Sequence, residues 1–420
     1  MNSLRVAVWR VALLGLVVLR LQPCALGFGQ KSRSDSVIQA RPVPGTFFGL
    51  HIHNAGTTTP WPAVKFGAWR LWDASVAWPN LEPQRGEWNF SLLDKYVDLA
   101  LKNNVEVLLT LGLTPLWASA RPNEQSMGDS GMAAEPKNVE YWNKYVSTVA
   151  SRYKGKIKAY EIWNEPFGKG NRLYFSGTVD KMIELARSAY LAIKRIDSSA
   201  IVVSPSLTEA GMLPWFEEYL SKGGAKYADV IGYHFYVNEQ PPEAMIPLIN
   251  NVKKIMAKYG ATQLPLWNTE AGWSKAKKTF TSQSEAASYV ARTYIVNMVA
   301  GVSRVYWYAW DNHTWVGVEL TEPDSKTLRP AGKAYDEIRM WLTGTKMMSC
   351  GIDSVGTWHC VLQDPKGRMA TIVWNPKQLV NLRSKPSSGA RTGTRMLGKK
   401  EQLPREGVVK ADSMPILFQN

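Results

Sequence analysis

The sequence predicts an α/β fold, a (β/α)8 TIM barrel followed by a small C-terminal β-sandwich-like domain. Two observations lead to this prediction. Between residues 46 and 343, eight short apolar segments alternate with longer segments of helical period, and after Gly344 the pattern changes to short alternating segments separated by turn residues. Strands that alternate with helices pair in parallel, and eight such units are enough to close a barrel.

The eight predicted strands are rich in apolar, β-branched and aromatic residues, as buried parallel strands are. They are TFFGLHIH (46–53), FGAWRLW (66–72), EVLLTLGL (106–113), IKAYEIW (157–163), AIVVSPSL (200–207), ADVIGYHFY (228–236), LPLWNTE (264–270) and SRVYWYAW (303–310). An open doubly wound sheet is the alternative arrangement. It is disfavoured because HIHNAGTTTPWP follows the first strand, where a glycine-rich phosphate loop would be expected.

Two of the intervening segments show a clear helical stripe. In SLLDKYVDLALKNN, Ser91 is predicted to cap a helix whose apolar residues lie on one face. These are Leu93, Tyr96, Val97, Ala100 and Leu101. In NVEYWNKYVSTVASRY the equivalent stripe is Trp142, Tyr145, Val146, Val149 and Tyr153. Both stripes are expected to pack on the outside of the barrel.

The C-terminal segments GTWHCVLQ, RMATIVWN, GVVKA and MPILFQ are predicted strands of a β-domain over residues 344–420. Residues 384–400 are polar and rich in Gly and Ser, so a loose loop is expected there. Cys350 and Cys360 flank a segment of hairpin length, and a disulfide between them is plausible in an exported protein. The alternative is a pair of buried free thiols.

The N-terminus has the layout of a signal peptide over residues 1–27. Arg5 and Arg10 precede the apolar run Val11–Leu19, and small residues follow around Ala25. The run is too short to cross a bilayer, so no membrane span is expected after cleavage, although an uncleaved anchor is the alternative. The sequence therefore predicts a secreted or periplasmic protein. Residues 28–45 are predicted to be disordered or to add a strand to the β-domain.

Composition narrows the range of partners and cofactors. The formal net charge of +15 is spread over 420 residues, with no run long enough for a nucleic-acid-binding arm. The surplus fits an acidic polysaccharide or cell surface, or a soluble surface that is merely basic. The five His and three Cys show no paired metal-ligand spacing, so neither a metal nor an organic cofactor is predicted.

Candidate site residues are those that end the predicted strands, because a barrel builds its active site at the carboxyl ends of its strands. They are His51, His53, Arg70, Asp73, Trp117, Asn164, Glu165, His234, Tyr236, Glu270 and Trp310. Two carboxylates stand out, Glu165 after the fourth strand and Glu270 at the seventh. Paired carboxylates suit glycoside hydrolysis, since one must donate a proton while the other faces the anomeric carbon.

The motifs IWNEP and WNTEAGW at these two strands resemble the catalytic signatures of clan A glycoside hydrolases. With the trailing β-domain, the chain most resembles family 39, which includes β-xylosidases, α-L-iduronidases and bacterial exopolysaccharide endoglycosidases. The resemblance implies a retaining enzyme in which Glu165 is the general acid/base and Glu270 the nucleophile.

The same resemblance implies roles for the remaining candidates. Asn164 would bind the substrate 2-hydroxyl and Arg70 would hold Glu270 ionised. His234 and Tyr236 would lie beside the nucleophile, and Trp310 would form the floor of the sugar subsite. His51, His53 and Trp117 are further predicted contacts to the sugar.

The predicted function is hydrolysis of O-glycosidic bonds in a neutral or acidic polysaccharide or oligosaccharide by double displacement. Two alternatives use the same barrel. One is a non-catalytic carbohydrate-binding protein, and the other is a transglycosylase in which a sugar acceptor replaces water at the same two glutamates.

Overall fold

A computed structural model describes residues 41–168, 174–382, 390, 392–398, 400–402 and 408–419. Nine parallel strands form its first sheet: β1 Phe48–His51, β2 Ala68–Leu71, β3 Glu106–Leu111, β4 Ala159–Ile162, β5 Ile201–Val203, β6 Leu207–Thr208, β7 Ile231–His234, β8 Leu266–Ala271 and β9 Arg304–Trp307. The helices around it are α1 Trp78–Leu81, α2 Ser91–Lys102, α3 Val139–Arg152, α4 Val179–Ile196, α5 Leu213–Ser221, α6 Met245–Lys258, α7 Gln283–Val299 and α8 Pro330–Leu342. The short 3-10 helices are Gly45–Phe47, Leu116–Ala118, Ala210–Met212, Gly224–Tyr227 and Pro242–Ala244.

The strand order is β5-β4-β3-β2-β1-β9-β8-β7-β6, so the first and last strands of the chain's barrel region are neighbours. Strands β5 and β6 are two parts of one predicted strand, interrupted around Pro205. Parallel bridges join Val203 to Val230 and Asn164 to Ser206 across this interruption. Each of the eight predicted strands therefore overlaps an observed one, and the predicted barrel is confirmed.

The two predicted helical stripes are largely buried against the barrel. All five predicted residues of α3 and its C-terminal flank are buried, whereas Leu101 of α2 is 46% exposed. Ser91 is not the cap of α2, because the helix begins at Ser91 itself. At this helix start the accepting side chain is that of Asn89, whose Oδ1 accepts hydrogen bonds from both the backbone N–H and the hydroxyl of Ser91.

Apolar side chains also fill the barrel from within. Residues from several strands form a separate buried cluster, which includes Ala68, Leu108, Ala159 and Trp267. This cluster closes the barrel below the level at which the strands end. The polar residues at the carboxyl ends are thus supported by a packed floor.

The C-terminal region forms a second, antiparallel fold layer. Its six-stranded sheet has the order β10-β11-β12-β17-β14-β15, and β13 pairs with β16. Their bounds are β10 Lys346–Ile352, β11 Trp358–Gln363, β12 Met369–Trp374, β13 Val380–Leu382, β14 Thr392–Arg395, β15 Lys400–Gln402, β16 Val409–Ala411 and β17 Ile416–Gln419. Val373, Ala411 and Phe418 pack together between the two sheets.

Two details of this region bear on the sequence predictions. Cys350 and Cys360 lie opposite each other in β10 and β11 and are joined by a disulfide. The predicted loop over 384–400 is wrong for Thr392–Arg395, which forms β14 because its backbone pairs with both β15 and β17. Polar composition did not prevent pairing there, since the backbone of the strand has a partner strand on each side.

The predicted signal peptide and most of the 28–45 segment lie outside the described residues. Of that segment, Val43 exchanges backbone hydrogen bonds with Gly344 and Thr345, which connect α8 to β10. Among the helices that the structure describes, none is both long and apolar enough to cross a membrane.

Candidate active site

The carboxyl ends of the barrel strands surround a cavity of about 910 Å³. Its lining includes Glu165 and Glu270, together with residues that follow β2, β6, β7 and β9. A smaller cavity of about 430 Å³, lined by Lys275, Phe280 and Arg329 among others, contains neither glutamate. The larger cavity is therefore the candidate active site.

Glu165 reaches the cavity from an irregular backbone after β4. Trp163 and Glu165 have φ values of 63° and 41°, in the left-handed region that non-glycine residues seldom adopt. The Glu165 backbone N–H donates to the Ser206 carbonyl at 2.9 Å, which fixes this turn against the next strand. Burial raises the pKa of the Glu165 carboxyl to about 7, although the positive charge of Arg70 acts in the opposite direction.

Glu270 lies on β8 and is 6% exposed. Its Oε1 accepts a hydrogen bond from the Tyr236 hydroxyl at 2.8 Å, and its Oε2 accepts one from Arg70 Nη1 at 2.9 Å. Burial raises the pKa of the Glu270 carboxyl above its ordinary value, while His234 and Arg70 lower it and limit the shift. Both oxygens are thus oriented by donors, Arg70 from β2 and Tyr236 from the segment after β7.

Arg70 is completely buried and connects three parts of the site. Besides Glu270, it donates from Nε to Glu161 Oε2 at 2.7 Å and from Nη2 to Asn164 Oδ1 at 2.7 Å. Burial alone would lower the pKa of the guanidinium, but Glu161 and Glu270 outweigh that effect and raise it. Arg70 therefore stays charged and leaves the amide nitrogen of Asn164 as the donor that could meet a ligand.

His234 stands between the two carboxylates. Its Nδ1 lies 2.8 Å from Glu165 Oε1 and 3.8 Å from Glu270 Oε2. Burial lowers the pKa of His234 to about 4, so the imidazole is neutral at physiological pH. Its Nε2 is buried and has no hydrogen-bond partner among the described residues.

The two carboxylates are close to each other. One oxygen of Glu165, one of Glu270 and a ring nitrogen of His234 all lie within 4.8 Å of one another. By spacing alone these three side chains form the one group, within the described part of the chain, that could hold a metal ion. The same spacing equally allows an acid and a nucleophile to flank one scissile bond.

Three of the predicted sugar contacts have side chains that do not line this cavity. His51 is buried inside the barrel, with Nε2 3.1 Å from the Thr269 carbonyl oxygen. Trp310 is buried because its indole N–H donates to the Ser325 carbonyl and holds the ring in the core. Trp117 packs edge-on against Trp78, and its N–H donates to the Glu82 carbonyl.

His53 also lies behind the cavity wall. Its Nδ1 is 2.8 Å from Asp311 Oδ1, and its Nε2 is 3.3 Å from the hydroxyl oxygen of Tyr308. Burial would lower the pKa of His53, but the hydrogen bond and the charge of Asp311 outweigh it and raise the pKa. His53 reaches the cavity only through Tyr308, which does line it.

Several residues that shape the site were not recognised in the sequence. Glu161 is the clearest, because a carboxylate inside the buried run IKAYEIW needs a buried partner, and this signal was present. Aromatic side chains of Trp72, Tyr308 and Trp315 line the cavity, whereas Trp310 does not. Trp72 and Tyr308 immediately follow strands, so the strand-end rule could have found them.

Comparison with known proteins finds similarity to glycoside hydrolases. The sequence model of glycosyl hydrolases family 39 matches residues 63–310. A β-xylosidase from Caldicellulosiruptor saccharolyticus is 26% identical over 202 residues, which cover 46% of this chain and 40% of that protein. An endo-1,4-β-xylanase from Claviceps purpurea is 34% identical over 112 residues, covering 27% of this chain and 29% of that protein. The chain thus aligns with less than half the length of these relatives.

Solved structures share the fold. A family 39 glycoside hydrolase from Bacteroides cellulosilyticus superposes with a TM-score of 0.71 at 18% identity, covering 90% of this chain and 81% of that one. A family 39 β-xylosidase from Caulobacter crescentus gives a TM-score of 0.62 at 17% identity, covering 90% and 97%. At these identities the likeness establishes the barrel and its trailing β-domain.

Proposed function

The chain belongs to glycosyl hydrolases family 39, and from this premise we propose that it is a retaining glycosidase with Glu165 as acid/base and Glu270 as nucleophile. The observation that carries the proposal is the spacing of the two carboxylates, whose nearest oxygens lie within 4.8 Å. Retaining enzymes hold the two carboxyl groups about 5–5.5 Å apart and inverting enzymes roughly 6.5–9.5 Å apart, so oxygens that approach each other this closely favour the retaining mechanism.

In the first step, a Glu270 oxygen attacks the anomeric carbon as Glu165 transfers its proton to the departing glycosidic oxygen. The C–O bond to the leaving group breaks, and an ester between Glu270 and the sugar forms. The burial that raises the pKa of Glu165 to about 7 keeps this acid protonated near neutral pH. Arg70 and Tyr236 hold the attacking carboxylate by hydrogen bonds to its two oxygens.

In the second step, the now ionised Glu165 removes a proton from water, which attacks the anomeric carbon and releases Glu270. Two displacements at one carbon restore its original configuration. Asn164 is oriented by Arg70, so that its amide N–H is available to the 2-hydroxyl of the sugar. Because the imidazole of His234 is neutral, its Nδ1 can accept a hydrogen bond from protonated Glu165 or donate one to ionised Glu165.

The similarity to a β-xylosidase makes aryl β-xylosides the first substrates to test. We also propose that the N-terminal leader directs export, which the disulfide between Cys350 and Cys360 supports, because such bonds persist in oxidising compartments.

The test is to replace Glu270 and follow both rate and stereochemistry. Glu270→Ala is expected to lower kcat for an activated aryl glycoside on the order of 10⁴-fold, because no nucleophile remains. Glu218→Ala, which changes an exposed residue of α5, serves as the control and should keep full activity. Nuclear magnetic resonance of the first product should show retained configuration. Unchanged activity in Glu270→Ala, or an inverted product, would overturn the proposal.

A further inference from the structure

Asp73 lines the catalytic cavity but takes no part in the proposed proton transfers. It follows β2 by two residues and has a φ of 56°, in the left-handed region. Asp and Asn tolerate this conformation better than most residues do. A carboxylate held in a costly backbone conformation at the rim of a substrate cavity suggests a functional reason for its position.

A chain of buried groups holds Asp73 in place from behind. The Tyr308 hydroxyl donates to Asp73 Oδ2 at 3.0 Å, and the same hydroxyl oxygen lies 3.3 Å from His53 Nε2. His53 Nδ1 lies 2.8 Å from Asp311 Oδ1. Tyr308 has one hydroxyl proton and donates it to Asp73, so its contact with His53 is a hydrogen bond only when Nε2 carries a proton.

Asp311 anchors the far end of this chain. Its carboxylate accepts four hydrogen bonds, from the backbone N–H and Nδ1 of His53, the backbone N–H of Asn54 and the hydroxyl of Thr59. An acceptor so fully satisfied cannot rotate without losing several bonds. Asp73 is therefore held in place by the contacts of Tyr308, His53 and Asp311. Its second carboxylate oxygen is the atom that could accept a hydrogen bond from a ligand in the cavity.

The charges around Asp73 disfavour a second anion. Asp73 and Glu209 line the cavity in addition to the catalytic glutamates, and both lie close enough to Glu165 to raise its pKa. The charge of Arg70 is already shared between Glu161 and Glu270. Among the described lining residues, Lys277 supplies the one positive charge.

We propose that Asp73 accepts hydrogen bonds from hydroxyl groups of the bound sugar and, together with Glu209, restricts that sugar to the neutral class. A fixed carboxylate is a strong acceptor for a hydroxyl pair and repels the carboxylate of a uronic acid. The formal net charge of +15 is thus not reflected among the described residues that line the cavity. This inference rests on the proposed function, because it assumes that the sugar binds beside Glu165 and Glu270.

The test compares aryl glycosides that share one leaving group, the 4-nitrophenyl β-xyloside, β-glucoside and β-glucuronide. The wild-type enzyme should cleave a neutral glycoside with kcat/KM at least about 100-fold above that for the glucuronide. Asp73→Asn keeps the size, the left-handed backbone and an acceptor for Tyr308. It should lower kcat/KM for the neutral glycoside about 10- to 100-fold. The ratio of kcat/KM for the neutral glycoside to kcat/KM for the glucuronide should then fall about tenfold.

Two further variants separate this role from a merely structural one. Tyr308→Phe removes the hydroxyl that positions Asp73, and it should narrow the same ratio in the same direction. Asp180→Asn changes an exposed acid paired with Lys222 on the outside of the barrel, and it should alter neither the rate nor the ratio.

The outcomes distinguish this inference from the proposed function. If the glucuronide is the better substrate, or if Asp73→Asn leaves the ratio unchanged while Glu270→Ala is inactive, the glycosidase proposal stands and the role of Asp73 is wrong. If no neutral or acidic glycoside is cleaved by the wild type, the proposed function fails and the inference fails with it.

Discussion

At the scale of single residues, the site depends on how Arg70 divides its charge. Its guanidinium contacts Glu161 on β4 and Glu270 on β8 at once, while Thr110 and Ser206 donate to the remaining lone pairs of Glu161. Glu161 thereby takes up part of the positive charge that would otherwise act on the catalytic pair. A buried acid that never touches the sugar can in this way tune the two that do.

We predict that Glu161→Gln moves the whole pH profile of kcat/KM to lower pH. Without the charge of Glu161, Arg70 acts more strongly on Glu270 and Glu165 and favours their ionised forms, which lowers both pKa values. The acid limb requires ionised Glu270 and the alkaline limb requires protonated Glu165, so both limbs should shift by about one pH unit. A Gln amide can donate to Ser206 Oγ in place of the present bond, so the fold should persist.

The matched control is Glu82→Gln. Glu82 is also a buried carboxylate, but it accepts hydrogen bonds from Trp78 and Gly86 outside the cavity. This variant should lose stability without moving either limb. A Glu161→Gln profile that coincides with that of the wild type would show that Glu161 is only structural.

The alkaline limb of the wild-type pH profile of kcat/KM can also be predicted. The pKa of Glu165 is raised to about 7 by burial, and the enzyme needs this group protonated. As pH rises through that value, kcat/KM should fall tenfold for each further unit. Glu165→Ala should remove this limb and slow poor leaving groups far more than 4-nitrophenol, since only the former need a proton. An alkaline limb that survives in Glu165→Ala would assign it to another group.

Residue-scale inference from sequence found positions along the chain more reliably than the directions of side chains. The strand-end rule located Arg70, Asn164 and Glu270, which the structure brings together. It also selected His51 and Trp310, whose side chains are buried and do not line the cavity, because being near a strand end does not decide which way a side chain faces. Those directions depend on partners distant in sequence, such as the Ser325 carbonyl for Trp310.

At the scale of elements, the periodicity of the sequence located every barrel strand but not the interruption between β5 and β6. Pro205 lies inside the predicted strand AIVVSPSL and cannot donate a ladder hydrogen bond, so the break had a readable cause. The interruption affects the candidate active site, because the Ser206 carbonyl accepts from the Glu165 backbone N–H and the Ser206 hydroxyl donates to Glu161. The β14 strand was missed because its polar sequence pairs through backbone groups alone.

The β10–β11 hairpin provides an element-scale prediction. Its disulfide closes a loop with a sequence separation of 10 residues, and in the chain-entropy model such a closure stabilises by about 3 kcal/mol. Replacing both Cys350 and Cys360 by Ala should lower the free energy of unfolding by that order in urea titrations. Because the hairpin lies outside the cavity, kcat/KM should stay within about twofold of the wild type. An unchanged unfolding midpoint would mean that the bond does not constrain the unfolded chain.

At the scale of the whole molecule, the barrel and the C-terminal sheet share one hydrophobic core. Met347, Leu362 and Trp374 of the sheet belong to the same buried cluster as the barrel helices. A polar contact joins the same two regions. Glu243, just before α6, accepts from Trp374 Nε1 at 2.7 Å and from Arg292 Nη1 of α7 at 3.1 Å. Because Arg292 is 1% exposed, this contact lies inside the interface.

Shared burial predicts that the two regions unfold together. Urea unfolding followed by intrinsic fluorescence and by residual glycosidase activity should give coincident single transitions. Glu243→Ala should lower the unfolding free energy by about 3–5 kcal/mol, because it leaves the Arg292 charge buried without its partner. Trp374→Phe keeps that pair but removes the indole donor and part of a fully buried ring, so it should cost less, about 2–3 kcal/mol. If the activity is lost well before the fluorescence changes, or if Trp374→Phe leaves the free energy of unfolding unchanged, the two regions unfold separately and the prediction is wrong.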